Sequence, residues 1–139
     1  MEILYYTRNA DNCPDTDQSV RWLSVDDYDL FREHLNLCEQ RILGKTEWES
    51  IYSNGTIYCG FFLEGKMVSR ACVEKYSLNA WEVADVRTVK QYRGKGYAGQ
   101  VCSFVLKYIL EQGKTATIRT EEDNSIMKSV IEKMGFSVL

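Results

Sequence analysis

The feature that most restricts this chain is an abrupt change of hydrophobic period across a glycine turn. Trp81 to Val89 carries the pattern of a strand, whereas Val101, Cys102, Val105, Leu106, Ile109 and Leu110 repeat as the buried stripe of a helix running from Ala98 to Gln112. Between them lies Arg93-Gly94-Lys95-Gly96-Tyr97-Ala98. The helix acts as a crossover, so the next strand pattern, Thr115 to Thr120, is predicted to run parallel to its predecessor. The turn also predicts chemistry. Glycines let the backbone approach a ligand closely, and the helix that follows aims its unpaired N–H groups and positive dipole end at that ligand. Phosphate is the expected guest. Arg87, Lys90, Arg93 and Lys95 add positive charge at this place, with no carboxylate between positions 87 and 95, in a chain of formal net charge -3.

That overall balance excludes a broad basic surface of the kind non-specific nucleic-acid binding requires, and favours a compact phosphorylated ligand over a polyanion. The 139 residues suffice for one domain with a core. We expect a single domain over 1–139, with 1–19 an extra N-terminal strand and polar loop. No apolar run reaches the length that crosses a bilayer, and no basic-then-apolar leader pattern opens the sequence, so a cytoplasmic protein without membrane association is expected. Cys13, Cys38, Cys59, Cys72 and Cys102 are odd in number and lack C-x-x-C spacing, which argues against a disulfide frame and against a metal site. Four lie in apolar patterns; Cys13 lies in a polar loop and is the candidate for a reactive thiol.

Elsewhere the pattern reads as follows. Glu2 to Tyr6 is a short strand and Val20 to Leu23 another. Ser24 caps a helix through Leu37, with Tyr28, Phe31 and Leu35 on its apolar face and His34 assigned to its surface. Thr46 with Glu49 predicts a capping box for a second helix carrying Trp48, Ile51 and Tyr52. Ile57, Cys59, Phe61 and Leu63 then alternate toward a Glu64-Gly65 turn and a partner strand, Lys66 to Tyr76. A last helix with Ile126, Met127, Val130, Ile131 and Met134 inward ends at Gly135, before a stub of strand from Phe136. The expected class is α+β: an antiparallel N-terminal half joined to one βαβ unit, with a ligand at the junction.

The run Val86-Arg87-Thr88-Val89-Lys90-Gln91-Tyr92-Arg93-Gly94-Lys95-Gly96-Tyr97-Ala98 closely resembles the acetyl-CoA-binding signature of the GNAT (GCN-five-related N-acetyltransferase) family. Asn124 to Phe136, an asparagine opening a helix that ends in Glu-Lys-x-Gly-Phe, is similar to the family's other motif, and Val20 to Asp27 looks like its first strand and helix start. The resemblance covers roughly Val20 to Phe136. It implies a three-layer α/β arrangement, a mixed sheet with helices on both faces, and acetyl-CoA as acyl donor without a metal.

Residue by residue, the resemblance implies that Val86, Arg87 and Thr88 offer backbone groups to the pantetheine arm, in a wedge where their strand bulges from its parallel neighbour. Arg93, Gly94, Lys95, Gly96, Tyr97 and Ala98 would bind the pyrophosphate through main-chain N–H groups. Asn124 matches the residue that hydrogen-bonds the arm, and is also a good helix cap; Met127 either lines the same channel or belongs to the core. The expected reaction is direct attack of a primary amine, small-molecule or peptide, on acetyl-CoA in a ternary complex. An amine of pKa about 10.4 is mostly protonated at neutral pH, so a base is valuable. Glu82 resembles the general-base glutamate of the histone-acetylating branch by its spacing from Arg93; Asp85 is the second candidate and Glu74 the third. Each is otherwise a solvated strand carboxylate.

Two departures stand out. Ile131 occupies the place where many relatives carry a tyrosine that protonates the departing thiolate, with Tyr97 and Tyr92 as candidate substitutes. Relatives usually continue with further strand beyond Phe136, which predicts an uncovered sheet edge here and a homodimer that repairs it. These departures favour an alternative, a catalytically silent acyl-CoA-binding or regulatory module. Trp48 and Tyr52 match the region that shapes the acceptor pocket in relatives, and fit a core role equally.

Overall fold

A computed structural model describes residues 1–139. The chain forms seven strands and four helices: β1 (Glu2–Thr7), β2 (Val20–Trp22), α1 (Tyr28–Leu37), α2 (Lys45–Ser53), β3 (Ile57–Leu63), β4 (Lys66–Glu74), β5 (Ala80–Thr88), α3 (Tyr97–Glu111), β6 (Thr115–Glu121), α4 (Ser125–Lys133) and β7 (Ser137–Val138). The strands make one sheet in the order β2-β3-β4-β5-β6-β1-β7. Only β5 and β6 run parallel, as the crossover through α3 requires; every other neighbouring pair is antiparallel. None of the helices is long and apolar enough to cross a membrane.

Alternation along β3 explains the layers. Cys59 and Phe61 face a cluster of 18 buried residues built with Val101, Cys102, Val105, Leu106 and Ile109 of α3 and Ile131 of α4, while Tyr58 joins a second cluster of seven with Phe31, Leu35 and Trp48 from α1 and α2. Helices thus cover both faces. In the smaller cluster the Phe31 ring lies 4.5 Å from Trp48 and 4.7 Å from Tyr58. Its polar tips are satisfied: Trp48 Nε1 donates to the Val25 carbonyl at 2.8 Å and the Tyr52 hydroxyl to the Leu23 carbonyl at 2.7 Å. A Cβ at Gly60 would overlap the Met67 side chain and force it to move.

Three expectations are corrected. The cap of α2 is Gly44, whose N–H donates to Glu47 Oε1 at 3.2 Å; the helix starts earlier than Thr46, leaving Thr46 and Glu49 exposed within it. His34 is not on the surface: it is 1% exposed, because it follows Phe31 by one turn and lies on the same face against β4. The edge beside β6 is not open either, for β1 pairs with β6 from Glu2↔Glu121 to Thr7↔Ala116 and separates it from β7. The chain covers that edge with its own first strand, whose outer side is paired with β7 only at Tyr5 and Tyr6.

Candidate active site

The site grows from a defect in the sheet. β5 and β6 pair only at Ala80↔Thr115, Trp81↔Ala116 and Glu82↔Thr117, and diverge thereafter. On its other side β5 slips against β4: Arg70 faces Arg87 and Cys72 faces Ala84, so β5 holds an extra residue across from Ala71. Asp85 takes up that bulge in the left-handed region, at φ 49°. A non-glycine residue there stores strain, and its carboxylate is tied down by the Arg70 guanidinium at 2.9 Å and by the Tyr58 hydroxyl. From Val83 onward the edge of β5 toward β6 is therefore free of ladder partners.

Beyond β5 the chain turns into the amino end of α3. Gly94 and Gly96 have φ of 80° and 86°, which a side chain would strain, and a Cβ on either would meet nothing within 4 Å. The space above the turn is open. Gly96 caps α3 without any side-chain acceptor, and the first amide bonded within the helix is that of Gln100, to the Gly96 carbonyl at 3.2 Å. The preceding N–H groups keep their donors for a ligand. Arg93 Nε donates to the Thr88 carbonyl at 3.0 Å and braces the turn, while Lys95 is exposed and Ala98 half-buried. The Tyr97 ring stacks on Phe61 at 4.3 Å and Tyr92 packs against the core, so both serve packing.

Beyond the bulge is a cavity of about 390 Å³ whose walls include Glu74, Glu82, Asp85, Arg119, Asn124 and Met127. Asn124 Oδ1 accepts the Met127 N–H at 3.1 Å, capping α4, and the half-buried Met127 lines the cavity beside it. Val86 is half-buried against the larger cluster, and the Thr88 hydroxyl bonds Ser69 Oγ at 2.8 Å, which leaves their backbone at the diverging edge.

The three carboxylates differ in their partners. Glu82, 7% exposed, lies against Arg119, which donates from Nε at 3.0 and 3.1 Å and from a terminal nitrogen at 3.0 Å; Arg119 also reaches Glu2 of β1 at 3.6 Å. Asp85 is held as described. Glu74, directly across from Glu82, has no hydrogen-bonded or ion-paired partner in the protein. Glu74 is an exposed residue, and partial desolvation on its inner side, then the neighbouring charges of Glu82 and Asp85, raise its carboxyl above the usual carboxylate range against the pull of Arg119. Ile131 is fully buried, so the helix position where the resemblance places an acid is here a core position.

Sequence reading missed Arg70, Arg119, Tyr58 and Gln40. Arg70 left a signal, being the only charge within the apolar run Met67 to Val73; Arg119 and Gln40 left none. The cysteines are all free, and Cys13 is half-buried, its thiol pushed up by burial and so less reactive than its polar loop implied. No group of three or more His, Cys, Asp or Glu is placed to hold a metal ion.

No curated protein matches this sequence. The family model described as the acetyltransferase (GNAT) family matches residues 18–136. Among solved structures, a GNAT-family protein from Novosphingobium aromaticivorans superposes with TM-score 0.77 at 19% identity, covering 99% of this chain and 59% of that one. An acetyltransferase of the GNAT family from Colwellia psychrerythraea gives 0.76 at 17%, covering 99% and 52%. The chain thus spans little more than half the length of these two. AAC(6')-Iy, solved with the bisubstrate analogue CoA-S-monomethyl-acetylneamine, gives 0.69 at 15%, covering 85% and 89%. The family match over most of the sequence and the fold it accompanies agree: this chain belongs to the GNAT family of acetyltransferases.

Proposed function

We propose that the protein transfers the acetyl group of acetyl-CoA to a primary amine by direct attack in a ternary complex. One observation carries this reading: the parallel pairing of β5 and β6 stops after Glu82↔Thr117, and a cavity walled by the carboxylates opens beside the unpaired part of β5, the strand that the glycine turn joins to the uncapped end of α3. Acetyl-CoA, when bound, supplies an activated acyl thioester. The amides from Gly94 to Gly99 hold the pyrophosphate, with Arg93, Lys95, Tyr97 and Ala98 shaping the turn. The backbone of Val86, Arg87 and Thr88 and the side chains of Asn124 and Met127 border the pantetheine arm. N–H groups at the bulge would stabilise the negative charge that develops on the carbonyl oxygen.

Four carboxylates, Glu2, Glu74, Glu82 and Asp85, line the cavity against the single cation Arg119, and this excess attracts the ammonium form of the acceptor. Glu74, unpaired and with raised pKa, takes the proton from the amine, directly or through one water. Release of free thiol from acetyl-CoA over a panel of amines, with mass spectrometry of the products, tests the reading. Acetylated amine is the expected result. CoA binding without turnover across the panel supports the silent acyl-CoA-binding module instead, a reading favoured by the identity of Ile131, which offers no proton at the place where the resemblance puts an acid.

A further inference from the structure

The carboxylates occupy one end of a sheet face whose other end bears the opposite charge. Arg70, Cys72 and Glu74 alternate onto the α1/α2 side of β4, and their partners Arg87, Ala84 and Glu82 lie on the same side of β5. A carboxylate pair and a guanidinium pair therefore share this face, separated by the β4 segment from Arg70 to Glu74, about 13 Å of extended chain.

The guanidinium pair is incompletely satisfied. Arg70 is 3% exposed; it donates to Gln40 Oε1 at 2.7 Å and Asp85 Oδ1 at 2.9 Å, but its Nε has no partner. Arg87 is only half-buried, forms none of the protein's ion pairs, and its enclosed Nε also lacks a partner. These two Nε groups are the only buried side-chain polar atoms left unpartnered in the protein. That both fall on residues facing each other across two strands marks a place built for an acceptor of hydrogen bonds.

The charge balance says what kind. Two guanidiniums face one carboxylate, Asp85. The side chains of α1 in this neighbourhood bring no negative charge: His34 Nδ1 lies 2.9 Å from the Met67 carbonyl and must carry the hydrogen, and Cys38 Sγ lies 3.6 Å from Nε2. Burial, aided by Arg70 and Arg87, holds the imidazole neutral with a pKa of about 4, and burial raises the Cys38 thiol. Arg93 adds positive charge nearby. The surplus positive charge is presented by planar guanidinium forks, which the two oxygens of a carboxylate match.

We propose that Arg87, backed by Arg70, binds a carboxylate of the acceptor, so that the acceptor is zwitterionic: an amino acid or short peptide whose reacting amine lies at the Glu74 and Glu82 end. The proposal rests on the reading of this face as the acceptor side of an acetyltransferase. Its test compares ω-amino acids of increasing length with alkylamines matched in length but lacking the carboxylate. The amino acids should be preferred in kcat/KM roughly ten- to hundred-fold, mainly through KM, at the length that spans the two ends. In Arg87→Gln the ratio should fall toward one, and Arg87→Lys should keep part of it. A second readout needs no turnover: titration with acetate should shift the Arg70 and Arg87 Nε–H signals saturably in proton–nitrogen spectra. Equal use of both acceptor series, or silent Nε–H signals, overturns the carboxylate subsite and leaves acetyl transfer standing. Responsive signals with no amine acetylated leave the subsite and remove the enzyme.

Discussion

The two faces of the sheet are built of different material. Against α3 and α4 lie 18 buried residues, aliphatic and aromatic with a few thiols and without a charged side chain. Against α1 and α2 the cluster is seven residues, and it surrounds a buried histidine and a buried arginine, with Glu82 and Asp85 further along the same face. Buried polar and charged groups are tolerable only when paired or hydrogen-bonded, and His34, Arg70 and Glu82 each have such a partner. The lesson is a division of labour. Apolar packing on one face supplies stability, and the thinner core on the other leaves room for polar groups that position chemistry.

The largest effect expected on the dry face comes from Ile131→Ala, which should lower stability by about 2–5 kcal/mol in urea unfolding while the folded fraction keeps its CoA affinity. Affinity falling further than stability would break the division. On the polar face, acid should reveal His34. Its pKa is lowered from 6.5 to about 4 in the folded protein, so the unfolded chain binds the proton first as pH drops. Stability present above pH 6.5 should therefore decline toward pH 4, by up to roughly 3 kcal/mol, and His34→Gln should flatten that slope. A parent protein with no such slope would mean the imidazole protonates in place.

Next in size, Glu74→Gln should reduce thiol release on the order of a hundred-fold at pH 7 and less at pH 9, where more of the amine is free. An equal loss at both pH values would move the base elsewhere on this face. The smallest effects separate two helix ends. Gly96→Ala forces a side chain into φ 86° and should cost about 1–2 kcal/mol, with CoA affinity falling as well. Asn124→Ala removes the cap of α4 and should cost about 1 kcal/mol in thermal unfolding. If the two variants affected CoA equally, the contrast between an end left open and an end closed by its own side chain would lose its meaning.

Much of this was legible in the sequence, and the limit was physical. The alternation in β3 and β4, the stripe of α3 and the glycine turn are local patterns, and each was found within a residue or two of its place. His34 was misread because its type is polar, although its spacing from Phe31 and Leu35 puts it on the inward face. The partners of the carboxylates could not be read at all. Arg119 reaches Glu82 only because β6 returns beside β5, and Gln40 reaches Arg70 only because α1 ends above β4; neither pairing follows from spacing along the chain. The place of β1 was hidden for the same reason.

That place has a consequence for how the molecule is made. β1 leaves the ribosome before the other elements of this domain, yet its partners are β6 and β7, which follow all its other strands. Until they emerge it has no neighbour to pair with, and its row of amide and carbonyl groups stands bare to any other extended chain in reach. The finishing of this sheet is thus a long-range closure, late in time, made by the strand of the sheet that was synthesised first.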